Sequence, residues 1–232
     1  MCQKDSTVNV VDVQTRILAR NDGAAAHNRE HFLERGIFAI NVMGSPGSGK
    51  TAVLEATART VADPAKLAAL AGDLATDNDA ARLQRAGLRA RAIETGQACH
   101  LDAELVHHEL HHFDLTGVET FFIENVGNLV CPAVYDLGQA ANVVVLSITE
   151  GEDKPLKYPT MFAKADLVLL TKMDLLPHLP HVRVAAILDA LARVMPDPRV
   201  IPLSAAGDGL AEWLQWLTTS RQAALAPREV LA

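Results

Sequence analysis

The chain has 232 residues, of which 49% are hydrophobic and only 4% aromatic, and its formal net charge is −7. That length suffices for one well-buried α/β domain, and the acidic balance argues against nucleic acid, whose binding needs a basic face. No run approaches the ~18 apolar residues of a membrane span, no signal-type apolar core precedes Arg20, and Cys2, Cys99 and Cys131 lack a disulfide framework's spacing, so a soluble cytoplasmic protein is expected.

Residues 1–11 are polar. A helical pattern starts at Val13, is interrupted at Asn21-Asp22-Gly23 and resumes from Ala24 to Arg35, predicting short helices over 1–35 that share one domain with the residues after them. Residues 36–225 read as that domain, and 226–232 as a tail. Ile37 to Met43 is a short apolar run with the character of a buried strand, and Ala52 to Arg59 reads as a helix. Between them Gly44-Ser45-Pro46-Gly47-Ser48-Gly49-Lys50-Thr51 satisfies G-x-x-x-x-G-K-[ST]. Strand, glycine-rich loop and helix together make a phosphate cradle, because successive backbone N–H groups point inward at a positive helix end. Gly47, Ser48, Gly49, Lys50, Thr51 and Ala52 are the candidate phosphate contacts; Lys50 supplies a full charge near the β- and γ-phosphates, and the Thr51 hydroxyl suits Mg²⁺.

Lys66 to Gly72 predicts a second strand. Asp73, Asp77 and Asp79 follow its carboxyl end, where α/β folds place chemistry. One of these acids holds Mg²⁺ or positions the attacking water, or Asp77 or Asn78 caps the helix running to Arg85; Lys50, Asp73 and Asp77 are the catalytic candidates, with Thr51 and Asp73 at Mg²⁺. Arg89 to Glu94 is a strand, and a helix beyond Asp102 carries His107, His108, His111 and His112. The pairs 107/111 and 108/112 share a helix face at i, i+4 spacing, which suits either metal binding or simple solvation. Glu119 to Ile123 is a strand ending in Glu124-Asn125-Val126-Gly127, an acid-x-x-Gly segment of the kind that senses a γ-phosphate, which makes Glu124 and Gly127 candidates. Asn142 to Thr149 is a continuous β-branched central strand, and Glu150 to Tyr158 a charged loop. Asp166 to Leu170 and Arg199 to Leu203 are further strands, and the closing helix carries Trp213 and Trp216 as core residues. The fold class is α/β, a P-loop NTPase with a mostly parallel sheet flanked by helices.

Thr171-Lys172-Met173-Asp174, followed about thirty residues later by Ser204-Ala205-Ala206, is similar to the base-reading pair of GTPases. The Asp174 carboxylate can accept both N1–H and the 2-amino group of guanine, a donor pair adenine lacks. Lys172 can lie over the base, and a backbone N–H near Ser204 and Ala205 can donate to O6. Thr171 stands where asparagine is usual, which leaves one structural hydrogen bond in question.

With these motifs the chain resembles the HypB family of nickel-incorporation GTPases, across roughly residues 15–220. The resemblance rests on Gly44–Thr51, on Gly72 to Asp77, on Thr95 to Asp102, on Glu124 to Pro132 and on Glu150 to Pro155. It implies a SIMIBI-type fold, slow GTP hydrolysis and a GTP-dependent homodimer whose interface carries a metal held by Cys99, His100 and Cys131. It also implies partners that donate nickel or receive it during maturation of nickel–iron hydrogenase. Thiolate and imidazole suit Ni²⁺ and Zn²⁺ alike. Glu104 stands where some relatives have a further histidine, so a fourth ligand is a carboxylate or absent. Only Cys2 stands near the start and no histidine precedes His27, so an N-terminal nickel store is not expected. Urease-maturation GTPases, the nearest alternative, carry Cys-Pro-His where this chain has Cys131-Pro132-Ala133; a small-molecule P-loop kinase would leave the Thr-Lys-x-Asp box unexplained.

Overall fold

Short apolar runs alternating with alanine-rich helical stretches force crossover connections, and each crossover returns the chain parallel to the previous strand. The computed structural model describes residues 10–73, 77–96, 100–204 and 207–226. Within them β1 (Phe38–Met43), β2 (Leu67–Asp73), β3 (Arg89–Glu94), β4 (Thr120–Glu124), β5 (Ala141–Ser147), β6 (Leu167–Thr171) and β7 (Val200–Pro202) form one sheet. Its order is β3-β2-β4-β1-β5-β6-β7, and the pairings are parallel throughout. The helices are α1 (Val10–Glu34), α2 (Lys50–Thr60), α3 (Asn78–Arg85), α4 (Ala103–Leu110), α5 (Lys154–Lys157), α6 (Pro159–Ala163), α7 (Val184–Val194) and α8 (Leu210–Leu225). No helix among the described residues is long and apolar enough to cross a membrane.

Alternation along β1 sorts its side chains into two layers. Phe38, Ile40 and Val42 pack with Leu54 of α2 and Trp213 of α8, whereas Ala39 packs with Phe32 of α1 and Phe121 of β4. A third cluster under β5 and β6 joins Met161 and Phe162 of α6 to Leu191 of α7. Trp213 is fully buried, stacks on Trp216 at 5.4 Å between centroids, and donates from Nε1 to Thr57 Oγ1 at 2.8 Å. Trp213→Phe should therefore cost about 1–3 kcal/mol, the sum of a lost hydrogen bond and a partly filled space. Thr57 still donates to Val53 O, so no hydroxyl is stranded. Urea denaturation measures this; a loss below ~0.5 kcal/mol would show that the indole site collapses without cost.

Several expectations from the sequence are corrected by the fold: the charged loop expected from Glu150 to Tyr158 contains α5, and the helix expected to carry His111 and His112 ends at Leu110. The helices expected within 1–35 are one unbroken α1. Asn21, expected to break the helix, is instead an anchor: its Nδ2 donates to Asp136 O at 2.8 Å and its Oδ1 accepts from Ala103 N at 2.9 Å. These bonds outweigh the ~1 kcal/mol that Gly23 costs a helix interior. The central strand ends at Ser147 rather than Thr149, because Ser147 and Glu150 form a capping box that starts a 3₁₀ turn at Ile148. Elsewhere strand ends move by about a residue, which makes Asp73, Glu124 and Thr171 the last residues of β2, β4 and β6.

Candidate functional site

The carboxyl ends of β1, β2 and β4 meet the start of α2 around a cavity of about 350 Å³. Gly47, Gly49, Lys50, Thr51 and Ala52 line it from one side, and Glu124 and Gly127 from the other. Gly49 caps α2 with φ of 103°, a left-handed geometry that glycine adopts without strain. Gly127 has no room for a side chain: a Cβ there would lie 2.9 Å from Pro46 N, so the segment after Glu124 rests directly on the phosphate loop. Ser48 is fully buried, and Lys50 lies buried with Nζ donating to Gly44 O and Ser45 O at 3.3 Å each.

At the cavity floor Thr51 Oγ1 donates to Glu124 Oε1 at 2.6 Å. Glu124 Oε2 is buried without a hydrogen-bond partner. Burial pushes the Glu124 carboxyl up to about 7, while the Thr51 bond and the Lys50 charge act the other way. A hydroxyl beside a carboxylate oxygen in want of a partner is the hard oxygen donor set that Mg²⁺ takes. These residues fit that ion.

A carboxyl raised in the folded state and ordinary in the unfolded state keeps its proton between the two values only when folded. Stability is then greatest below the unfolded value of about 4.5 and declines as pH rises toward 7. In nucleotide-free protein with chelator present, Glu124→Gln should remove this decline and gain on the order of 3 kcal/mol at pH 7.5 as an upper bound. Thermal melts of both proteins from pH 5 to 8 check it; parallel curves would mean that Glu124 is ionised in the fold.

Of the acids after β2, the Asp73 side chain lies outside the described residues. Asp77 is exposed at the head of α3 and its side chain caps nothing. Asp79 lines the cavity instead, alongside Arg82, whose guanidinium bonds Glu55 Oε2 at 2.6 Å and Asp79 Oδ1 at 3.2 Å. Arg82 was not expected from the sequence; its i, i+3 spacing from Asp79 was the available signal.

The two base-reading segments meet where Met173 N donates to Leu203 O at 3.1 Å. Lys172 has φ of 62°, the only positive value among described residues other than glycine. Such a backbone costs about 1–3 kcal/mol and persists where surrounding contacts hold it, often at binding sites. Thr171 makes a structural bond of its own: Oγ1 donates to Ser48 O at 2.6 Å, tying β6 to the phosphate loop. Ser204 Oγ donates to Asp208 Oδ2 at 2.7 Å, and Asp174 lies in the turn Met173–His178; Ala205 lies outside the described residues.

Of the candidate thiolate and imidazole ligands, His100 and Cys131 fall among the described residues. Cys99 is outside the described residues. His100 stacks on Tyr135 at 4.1 Å between centroids, and burial lowers its pKa, so a neutral imidazole is favoured. Tyr135 follows the 3₁₀ turn Cys131–Ala133, so the stack joins the segments that carry His100 and Cys131. Cys131 is half-buried, with Pro132 and Ala133 buried behind it. Glu104 is engaged elsewhere, its Oε1 2.5 Å from Arg20 Nε of α1. Among the described residues no three histidine, cysteine or acidic side chains already converge on one point.

The residue that links the two halves is Asn125, which is buried. Its Oδ1 accepts from Leu101 N at 3.2 Å and its Nδ2 donates to Asn41 Oδ1 at 3.1 Å. The segment that starts at Glu124 is thus bonded to the loop containing His100.

A family model described as CobW/HypB/UreG, nucleotide-binding domain, matches residues 38–200. A hydrogenase maturation factor HypB from Rhizobium leguminosarum bv. viciae is 49% identical over 216 residues, spanning 93% of this chain and 72% of that protein. A hydrogenase/urease maturation factor HypB from Helicobacter pylori is 41% identical over 84% of this chain and 81% of its own. The crystal structure of HypB from Helicobacter pylori in complex with nickel superposes with a TM-score of 0.84 at 36% identity, over 91% of this chain and all of that one.

Proposed function

Because the chain belongs to the CobW/HypB/UreG nucleotide-binding family, and within it to the HypB hydrogenase maturation factors, we propose that it is a GTP-hydrolysing nickel metallochaperone. Nickel, bound in the Helicobacter structure, is its cargo, delivered during maturation of nickel–iron hydrogenase to partner proteins in the cytoplasm; the cargo site takes Zn²⁺ by the same chemistry. Residues 36–225 are the GTPase domain, and the segment 1–35 belongs to that same domain.

In this reading the phosphate loop and Lys50 hold and polarise the β- and γ-phosphates, and Asp174 with Lys172, Ser204 and Ala205 selects guanine. Thr51, Glu124 and Asp73 would hold Mg²⁺, which when bound neutralises charge on the phosphates. Asp73 or Asp77 orients the attacking water. Cys99, His100 and Cys131 hold the cargo ion across a GTP-dependent homodimer.

The observation that carries the proposal is the bonded path from Thr51 through Glu124 and Asn125 to Leu101, next to His100. A γ-phosphate that reorders Glu124 would move Asn125 and, with it, a candidate ligand loop. Coupling of this kind is commonly worth 5–150-fold in affinity and acts equally in both directions. Nickel affinity should therefore differ at least ~5-fold between GTP analogue and GDP, with more dimer under GTP analogue by sedimentation. Asn125→Ala should collapse the difference. Equal affinities and equal dimer fractions under both nucleotides would overturn the coupling while leaving GTP hydrolysis intact.

A further inference from the structure

We infer that His107 of α4 and His111 just past its end, faced by His31 and His27 of α1, form a second site for a divalent transition-metal ion, built from imidazole alone. The Nε2 atoms of His107 and His111 lie 3.1 Å apart. Two imidazole nitrogens each about 2.0–2.1 Å from one ion are separated by a similar distance, so this pair already has the bite of a chelate.

The tautomer of His107 is set by its neighbour. Asn28 is fully buried, and its Nδ2 donates to Ala103 O at 2.9 Å and Leu137 O at 3.1 Å. Those two carbonyls fix which end of the amide is nitrogen. Asn28 Oδ1, 3.0 Å from His107 Nδ1, can then only accept, so Nδ1 carries the proton and the Nε2 lone pair faces His111. A ring fixed from behind by a donated Nδ1–H is the usual outer shell of a metal-binding histidine.

α1 repeats the i, i+4 spacing opposite this pair. His31 lies 6.5 Å from His111, and His27 6.3 Å from His107, between ring centroids. His31 Nε2 is shielded from solvent and has no hydrogen-bond partner, a cost that an ion would remove. Closing the site requires His31 to turn toward the His107–His111 pair. His27 and His111 are exposed, which leaves the ion a path from solvent. Arg35 opposes a cation at His31 and Glu34 favours one. His108 and His112 share the spacing but differ in setting: His108 Nδ1 meets Glu109 Oε1 at 3.2 Å. Imidazole donors suit Ni²⁺, Zn²⁺ and Cu²⁺. An ion here would fasten α1 to α4, the helix that begins three residues after His100. The site needs neither nucleotide nor thiolate, so its failure and that of the nickel-carrier reading are separable.

The test uses untagged full-length chain with Cys2, Cys99 and Cys131 changed to serine, titrated calorimetrically with Ni²⁺ and without nucleotide. One equivalent should remain, and its X-ray absorption should report nitrogen and oxygen neighbours with imidazole scattering and no sulfur. His111→Gln, at an exposed position, should weaken it at least about tenfold, the loss that even an outer-shell partner commonly causes. It should also abolish the Ni²⁺-induced rise in melting temperature. The pair His108→Gln and His112→Gln should leave both unchanged. No Ni²⁺ bound by the cysteine-free chain, or undiminished binding after His111→Gln, would overturn the proposal.

Discussion

Lys50→Ala is expected to lower GTP hydrolysis by roughly 10²–10³-fold, the scale on which one preorganised charge or donor acts in a phosphoryl or acyl transfer site. The ammonium is buried at the cavity rim, with Nζ donating to the Gly44 and Ser45 carbonyls. Those bonds tie the ammonium to the phosphate loop, at the cavity that Gly47, Gly49 and Thr51 also line. Alanine keeps the helix start, since it is the best helix former, and leaves the Thr51–Glu124 bond untouched. The loss should therefore appear in single-turnover phosphate release at saturating GTP, with little change in melting temperature. A rate within a few-fold of the parent would mean that Lys50 serves the loop and not the nucleotide, and the hydrolytic assignment would fall with it.

The phosphate loop was legible because its eight residues are contiguous and its context is local: an apolar run before, a helix after. Sheet order was not legible, since β1 pairs with β4 and β5, far away in sequence. The same limit hid Asn125 and Arg82. Nothing in the sequence says that an asparagine after a strand will accept from Leu101 N, because that bond is made by two loops meeting in space. His107 and His111 were visible as a spacing, but their partners His27 and His31 stand some eighty residues earlier on a helix expected to be broken. Asn21 and Gly23 carried that expectation, and three-dimensional anchoring of Asn21 overrode it. Thr171 shows the converse: a departure from the usual asparagine looked like a lost bond, yet its shorter side chain makes one to Ser48 O. Residue identity gives the chemistry, and packing decides which atoms use it.

Cys131→Ala is expected to eliminate the nucleotide-sensitive part of nickel binding. Cys131 opens a 3₁₀ turn closed by Val134 N donating to Cys131 O at 2.9 Å, and Pro132 behind it is buried, so the backbone that presents the thiol is held without the sulfur. Alanine should therefore preserve the fold and the GTPase rate. A thiolate ligand gives its ion a sulfur-to-metal absorption band, and an imidazole-only shell does not. Titrating Ni²⁺ into the variant under GTP analogue and under GDP should show that band lost and the difference between nucleotides gone. Any nickel that remains should be indifferent to nucleotide and removable by His111→Gln, because the α1–α4 imidazoles do not touch the bonded path from Thr51 to Leu101. Nickel binding that stays nucleotide-dependent without Cys131 would leave the thiol as a packing group at the end of the Tyr135 turn. The cargo site would then have to be sought among other residues.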